Sequence, residues 1–174
     1  MTNQVLSAIA DRRSIRSYKT DKITREQFDI LLKAAQEAPS AKNSQSWHFS
    51  VVQNRAILDE IHAEVQNNLN NKFDDIFHGA HAAIFLSHDQ ANKWARLDCG
   101  IAVQTIALAA HSIGLGSVIL GMPDAAFSGK RADHFKKMLK FPDGYNFAIA
   151  IALGVPAGTK EAHPIENGRV SFVE

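Results

Sequence analysis

Apolar residues follow two spacings along this chain, one typical of helices and the other typical of strands. The helical spacing is clearest after Thr24, which forms a capping box with Gln27. The apolar positions of this predicted helix are Phe28, Leu31, Leu32 and Ala35. Pro39 ends the helix, because the residue before a proline is disfavoured in the helical conformation.

Short apolar runs predict four strands, over residues 47–54, 82–87, 116–121 and 145–154. Helices are predicted over residues 5–10, after the capping residue Asn54, over about 93–113 and over about 131–139. From Ile101 onward the helix ending near residue 113 is apolar on more than one face, so we expect it to be central and covered on several sides. The strands are not separated by regular helical crossovers, which favours a mixed sheet in an α+β fold.

The composition fits one globular domain spanning residues 1–174, with 45% apolar and 21% charged residues. A formal charge of +1 argues against a nucleic-acid-binding surface. Residues 101–122 form an apolar tract about as long as a membrane span. Gln104, His111, Gly114 and Gly116 interrupt this tract, so we expect a buried helix followed by a strand and no association with a membrane.

Cysteine and histidine usage excludes two other classes of site. Cys99 is the single cysteine, so no internal disulfide is possible, and we expect it to be a small buried apolar group. The N-terminus has no basic region before an apolar stretch, and together these features favour a cytoplasmic location. His78 and His81 are three residues apart, but no carboxylate or cysteine completes a zinc pattern, and we predict no metal site.

Two polar segments are candidates for ligand binding. The first is RRSIR, in which an extended backbone would point Arg12, Ser14 and Arg16 to one side and Arg13 to the other. Arginine forks and a hydroxyl suit a phosphate, although a solvated surface cluster is the commoner meaning of such a run. The chain has neither a P-loop nor a Rossmann glycine motif.

The second segment is APSAKNSQSWHF, residues 38–49. Ser40, Asn43 and Gln45 offer compact donors and acceptors that suit the edge of a flat heterocycle. Taken alone, the segment is better explained as a plain connection between a helix and a strand.

Both segments, in this order and spacing, resemble the nitroreductase family of FMN-dependent oxidoreductases. The resemblance continues through NNKFDDIFHGAHAAIF, LDCGIAVQTIALAAHSIGLGSVILG and ALGVP, and so covers nearly the whole chain. It implies a three-layer α+β fold with a mixed central sheet flanked by helices. It also implies a homodimer that exchanges a C-terminal strand and binds FMN at two sites between the subunits.

The resemblance assigns roles to particular residues of this sequence. Arg12 and Ser14 would hold the phosphate and ribityl end of FMN, and Arg16 would lie near N1 and O2 of the ring. The partner subunit would supply the polar loop, and the end of the third strand would approach N5 and O4. The full candidate cofactor-binding set is Arg12, Arg13, Ser14, Arg16, Pro39, Ser40, Ala41, Asn43, Gln45, Leu120, Gly121 and Lys160. Lys160 is chosen over His163 and Arg169 as the late cation for the phosphate.

The implied activity is reduction of a small aromatic acceptor, such as a nitroaromatic or a quinone, by NAD(P)H. Because both substrates would use one flavin face, the kinetics would be ping-pong, and no catalytic side chain is required. Dehalogenation, flavin destruction or dehydrogenation on the same flavin, and flavin binding without turnover, are the alternatives. A regulatory module whose arginines bind a phosphorylated partner is a further one.

The tail beyond residue 154 contains prolines and glycines and has no helical period. Its last residues, RVSFVE, alternate: Val170 and Phe172 would face one side and Ser171 and Val173 the other. This alternation suits a strand added to a sheet edge. The resemblance implies that the edge belongs to the partner subunit.

Overall fold

The structure, a computed structural model, describes residues 3–166 and 168–173. Four strands form one sheet in the order β1-β2-β4-β3. Their bounds are β1 Trp47–Val52, β2 Ala82–Asp89, β3 Gly116–Leu120 and β4 Tyr145–Gly154. The helices are α1 Gln4–Asp11, α2 Arg25–Gln36, α3 Arg55–Leu69, α4 Ala95–Ser112, α5 Asp124–Ser128 and α6 Ala132–Met138, with a 3₁₀ turn at Ala41–Asn43.

Local signals in the sequence set several of these boundaries. The Thr24 hydroxyl accepts from the Gln27 amide, and the Gln27 side chain accepts from the Thr24 amide, so the predicted capping box is confirmed. The Asn54 side chain accepts from the Ala56 amide at the start of α3, as predicted. Helix α5 was not predicted, because five residues are too few to display a helical period.

The sheet is antiparallel at every pairing of its four strands. We expected a mixed sheet, and parallel pairing occurs in the described residues only at an isolated bridge between Ser14 and Ser117. The α+β class is confirmed, because the strands pair without the helical crossovers that parallel neighbours need.

Three layers result from the alternation of side chains along the central strands. In β2, Ile84 and Leu86 pack on the side of α2 and α4, whereas Ala83 and Phe85 pack on the side of α3, α5 and α6. The second core is rich in aromatic rings, with Phe127 stacked on Phe147 at 4.9 Å between ring centroids. Both faces of the sheet are therefore covered by helices.

Helix α4 packs against α2, α1 and all four strands. Its central position was predicted, and Ala102, Ile106 and Ala110 are fully buried. One face nevertheless remains open within the single chain, with Leu97 63% and Ile101 44% exposed. Helix α1 also exposes apolar side chains, at Val5, Leu6 and Ile9. Soluble monomers usually expose such apolar side chains singly, whereas this chain exposes several of them on α4 and α1.

The first turn of α4 fixes the position of the polar loop between α2 and β1. Asp98 is only 4% exposed, and its two carboxylate oxygens lie 3.1 and 3.2 Å from the Ala41 amide nitrogen. The loop needs this support, because Lys42, Asn43 and Gln45 have φ values of +57°, +53° and +47°. Residues other than glycine rarely adopt this left-handed conformation, and three in one loop persist only where their surroundings hold them.

We expect Asp98→Ala to release this loop, because the Ala41 amide would lose its acceptor inside the protein. The free energy of unfolding should fall by roughly 1–3 kcal/mol, and the amides of residues 40–46 should exchange with solvent faster. Asp98→Asn keeps a carbonyl acceptor and should lose less. Asp124→Ala, at the first turn of α5, is the matched control. Unchanged exchange in Asp98→Ala would show that the loop holds itself.

Candidate functional site

The basic segment, residues 12–19, runs in extended conformation past the start of β3 and the end of β4. The Ile15 amide donates to the Ser117 carbonyl at 2.9 Å, and the Lys19 amide donates to the Val155 carbonyl at 2.8 Å. Helix α1 ends at Asp11, immediately before this segment. The extended geometry assumed for RRSIR is therefore confirmed, and β3 and β4 fix it in place.

Arg12 is the most telling member of this segment. Its guanidinium Nε is buried and has no hydrogen-bond partner among the residues that the structure describes. Buried donors are almost always paired in folded proteins, so this nitrogen indicates an acceptor from outside the chain. Arg12 lines a cavity of about 370 Å³ together with Arg13, His111, Ser117 and Lys160. Such a set of donors suits an anion with several oxygens.

Arg13 also has a structural role that its sequence position did not reveal. Its guanidinium donates to the carbonyls of Ala10 and Arg12, at the C-terminal end of α1. A cation at this end satisfies free carbonyls and interacts favourably with the helix dipole. Arg13 therefore lines the cavity while its donors serve the helix.

Lys160 reaches the basic segment from the far end of the chain. It lines the cavity of Arg12 and also an adjoining cavity of about 290 Å³, whose other lining residues include Ser14 and Arg16. The tail is held there because the Ala157 amide donates to the Ser17 carbonyl at 3.0 Å. This geometry favours Lys160 over its alternatives: neither His163 nor Arg169 lines these two cavities, and Arg169 pairs with Glu166.

The other end of β3 offers accessible backbone, one strand length away from this segment. Leu120 is buried, whereas Gly121 is exposed, and a Cβ built on it would meet no heavy atom within 4 Å. Four residues of strand separate Gly121 from Ser117, which is roughly 13 Å. The cationic groups and the open backbone therefore suit the two ends of an elongated ligand.

The polar loop forms a compact group of its own. The Gln45 amide donates to the Ser40 hydroxyl at 3.0 Å, and the Gln45 side chain donates to the Asn43 side-chain oxygen at 3.1 Å. Pro39, Asn43 and Gln45 are exposed, so their polar atoms and the loop backbone can meet a ligand.

The length of α4 shows how far the polar loop lies from the cavity of Arg12. Ala41 is bound to Asp98 in the first turn of α4, whereas His111 in the last turn lines the cavity of Arg12. Thirteen residues of helix separate Asp98 from His111, which is roughly 20 Å. The loop also precedes β1 at one edge of the sheet, and Ser14 pairs with β3 at the other. One chain therefore does not bring the two predicted halves together.

Sequence reasoning missed His111 and Thr159 as lining residues of the cavity. A histidine in the last turn of a helix is a recognisable signal, since the helix dipole favours a cation there. In the sequence, however, His111 stands out only as an interruption of an apolar tract. Thr159 carries no such signal, because its position depends on how the tail returns to the sheet.

Cys99 is fully buried, and burial together with the nearby Asp98 carboxylate raises the pKa of its thiol to about 12. This confirms its role as a small apolar group rather than a nucleophile. No helix within the described residues is both long enough and apolar enough to cross a membrane.

Proteins of known sequence and structure resemble this chain over most of its length. A protein of Methanothermobacter thermautotrophicus named NADH dehydrogenase/NAD(P)H nitroreductase is 36% identical over 165 residues, covering 90% of this chain and 81% of its own. The FMN reductase [NAD(P)H] of Bacillus subtilis is 31% identical over 135 residues, covering 68% of this chain and 54% of its own. A nitroreductase of Desulfitobacterium hafniense DCB-2, crystallised with bound FMN, has a TM-score of 0.92 and 36% identity, with 100% of both chains covered.

A sequence profile described as "Nitroreductase family" matches residues 9–155. This range contains the basic segment, the polar loop, α4 and all four strands. The chain therefore belongs to the nitroreductase family.

Proposed function

We propose that this protein is an FMN-dependent oxidoreductase that uses NAD(P)H to reduce nitroaromatic, quinone or similar acceptors. The observation that carries the proposal is the buried, unpaired Nε of Arg12 in a cavity that Lys160 also lines. Relatives named for NAD(P)H-dependent reduction and for FMN lend further support.

The residues present fit FMN. Arg12, Ser14 and Lys160 offer cationic and hydroxyl donors for the phosphate, and the orphaned Arg12 nitrogen would gain its acceptor there. Arg16 lies further along the same extended segment, where it would face N1 and O2 of the ring. Gly121 would leave room for the other side of the ring at N5 and O4.

A second subunit would complete the site. The polar loop lies roughly 20 Å from the cavity along α4, too far to contact the same ligand within one chain. In a homodimer, Pro39, Ser40, Ala41, Asn43 and Gln45 of one subunit would meet the cationic segment of the other. The open apolar faces of α1 and α4 supply a surface for such an association.

Bound FMN would supply the redox chemistry, taking a hydride from NAD(P)H and passing the electrons to the acceptor. The chain would bind the phosphate, orient the ring and stabilise negative charge near N1 through the fixed guanidinium of Arg16. Neither a nucleophile nor a general base is needed. Because one exposed ring face would serve both substrates in turn, we propose ping-pong kinetics.

The tail would join the two subunits. In the described part of the chain, the outer edge of β1 pairs with no strand, whereas β3 is bridged by Ser14. The alternating tail exposes Val170 at 74% and Phe172 at 89%. Pairing with the partner's β1 edge would cover these side chains and satisfy the backbone groups of both segments.

The proposed reaction is tested with FMN-loaded protein under anaerobic conditions. NADH or NADPH should bleach the flavin absorbance, and a nitroaromatic or a quinone should restore it. Double-reciprocal plots at several acceptor concentrations should be parallel. Intersecting lines would reject the shared site, and a flavin that no nicotinamide bleaches would favour binding without turnover. Failure to bind FMN would favour the phosphorylated-partner alternative.

Substitutions of Arg12 and Arg13 should affect FMN affinity differently, because of these two arginines only Arg12 has a buried donor without a partner in the described residues. Arg12→Ala should weaken FMN binding by roughly 1.5–3 kcal/mol, or about 10- to 150-fold in Kd. Arg13→Ala should change Kd little and instead lower the melting temperature, because α1 loses its C-terminal hydrogen bonds. Equal losses of flavin affinity in both variants would contradict this division of roles.

Deletion of residues 169–174 tests the exchanged tail. We expect the dimer and the flavin affinity to weaken together, because each site would contain groups from both chains. Sedimentation and flavin titration would be measured on the same preparation. A stable dimer with full affinity for FMN would show that this segment does not hold the subunits together.

A further inference from the structure

His78 lies in a tightly braced turn between α3 and β2. Its φ is +55°, and Gly79 follows with φ +76°. The Asp75 carboxylate accepts from the amides of Phe77 at 2.9 Å and of Gly79 at 2.8 Å. Residues other than glycine seldom adopt this left-handed conformation, so the hydrogen bonds of Asp75 hold the backbone at His78 in place.

Arg55 of α3 holds this turn from behind. Its guanidinium donates to Asp75 at 2.7 Å and to the Ala80 carbonyl at 3.1 Å, and it also pairs with Asp59. The negative charge of Asp75 is therefore shared among two amides and one arginine. Asp75 therefore presents less than a full negative charge to His78.

The turn lies at the same end of the sheet as the basic segment. Ala82, the first residue of β2, pairs with Leu153 near the end of β4. Just beyond that end, the backbone is bonded to residues 17 and 19 of the basic segment. Tyr18 packs against the core cluster that contains Phe77 and Ala80, the neighbours of His78. Arg16 and His78 therefore approach the same corner from two different elements.

The charge of Arg16 reaches the imidazole. Burial lowers the pKa of His78, the positive charge of Arg16 lowers it further, and Asp75 raises it by less. The pKa of His78 is therefore lower than that of an ordinary histidine, and its imidazole is neutral at pH 7. A change in the net charge beside Arg16 would change the protonation of His78.

We propose that His78 takes up one proton from solvent when the flavin beside Arg16 is reduced. This inference rests on the proposed function. Hydride transfer brings two electrons and one proton, so the bound flavin gains one negative charge. That charge offsets the field of Arg16 at His78, and the imidazole binds a solvent proton. The balance is NAD(P)H, FMN, neutral His78 and H⁺ giving NAD(P)⁺, reduced anionic FMN and protonated His78.

His78 acts electrostatically, through Arg16, and needs no contact with the flavin. It is therefore a positioning residue, and its protonation adjusts the charge near the ring. Its effect is to make the reduction potential depend more steeply on pH. For a two-electron couple, each proton taken up adds about 30 mV per pH unit to the slope. The added slope applies between the pKa of His78 in the oxidised protein and its higher pKa in the reduced protein.

The test is the midpoint potential of FMN-loaded protein from pH 5 to 8, measured by spectroelectrochemistry. Wild type should show the steeper interval and His78→Asn should lack it. Asparagine cannot titrate, and it tolerates the left-handed backbone, so the turn should survive. His81→Asn is the matched control, because it removes an exposed imidazole three residues away and should keep the wild-type slope.

An NMR titration of the histidines in wild type provides a second measurement that needs no stable His78 variant. The His78 signal should titrate at higher pH in the reduced protein than in the oxidised one. In oxidised Arg16→Gln, saturated with FMN, it should also titrate at higher pH. Identical potential slopes in wild type and His78→Asn, or a His78 signal indifferent to both changes, would overturn the inference. A protein that binds no FMN would overturn the proposed function and this inference with it.

Discussion

Backbone hydrogen bonds that join the basic segment to the start of β3 and to the chain just after β4 position the cationic part of the candidate site. They connect Ile15 to Ser117, Lys19 to Val155 and Ala157 to Ser17. The first two fix the extended segment against the sheet, and the third returns the tail so that Lys160 lines the same cavities. Because these bonds join main-chain atoms, they leave the buried Arg12 nitrogen available to a ligand, and pairing with the sheet restricts the movement of the segment.

The other half of the site depends on a buried charge. A carboxylate that is 4% exposed is costly unless it is paired, and the described partner of Asp98 is the Ala41 amide. Asp98 also lies in the first turn of α4, where the helix dipole favours a negative group. The same residue therefore anchors a helix start and a loop that bends through left-handed conformations, so the loop geometry is coupled to the core.

Local chemistry explains which parts of this structure could be predicted from the sequence. The capping box at Thr24, the cap at Asn54 and the break between α4 and β3 depend on neighbouring residues, and all appear in the structure. Helix α5 is too short to show a period. The antiparallel sheet could not be read from the strands alone, because strand pairing is decided by contacts distant in sequence.

The candidate site divides in the same way. RRSIR and the polar loop are recognisable as local motifs, and their types of donor suggest a phosphate and a flat ring. The hydrogen bonds of Arg13 to the end of α1 were not foreseen, because they depend on where the helix stops. The sequence pattern suggests for His78 only the role of a metal ligand, which its surroundings do not support. Its position at the same end of the sheet as Arg16 follows from tertiary pairing of β2 with β4, which the spacing of two histidines does not encode.

Because Cys99 is buried, the reactivity of its thiol reports on opening of the core. It is the single cysteine, it is fully buried in α4, and its thiol lies against the Ser87 carbonyl of β2. A thiol reagent must wait until α4 separates from the sheet before it can react. The labelling rate of the native protein therefore reports how often α4 separates from the sheet. One end of α4 holds the polar loop and the other borders the cationic cavity, so such openings would disturb both parts of the candidate site.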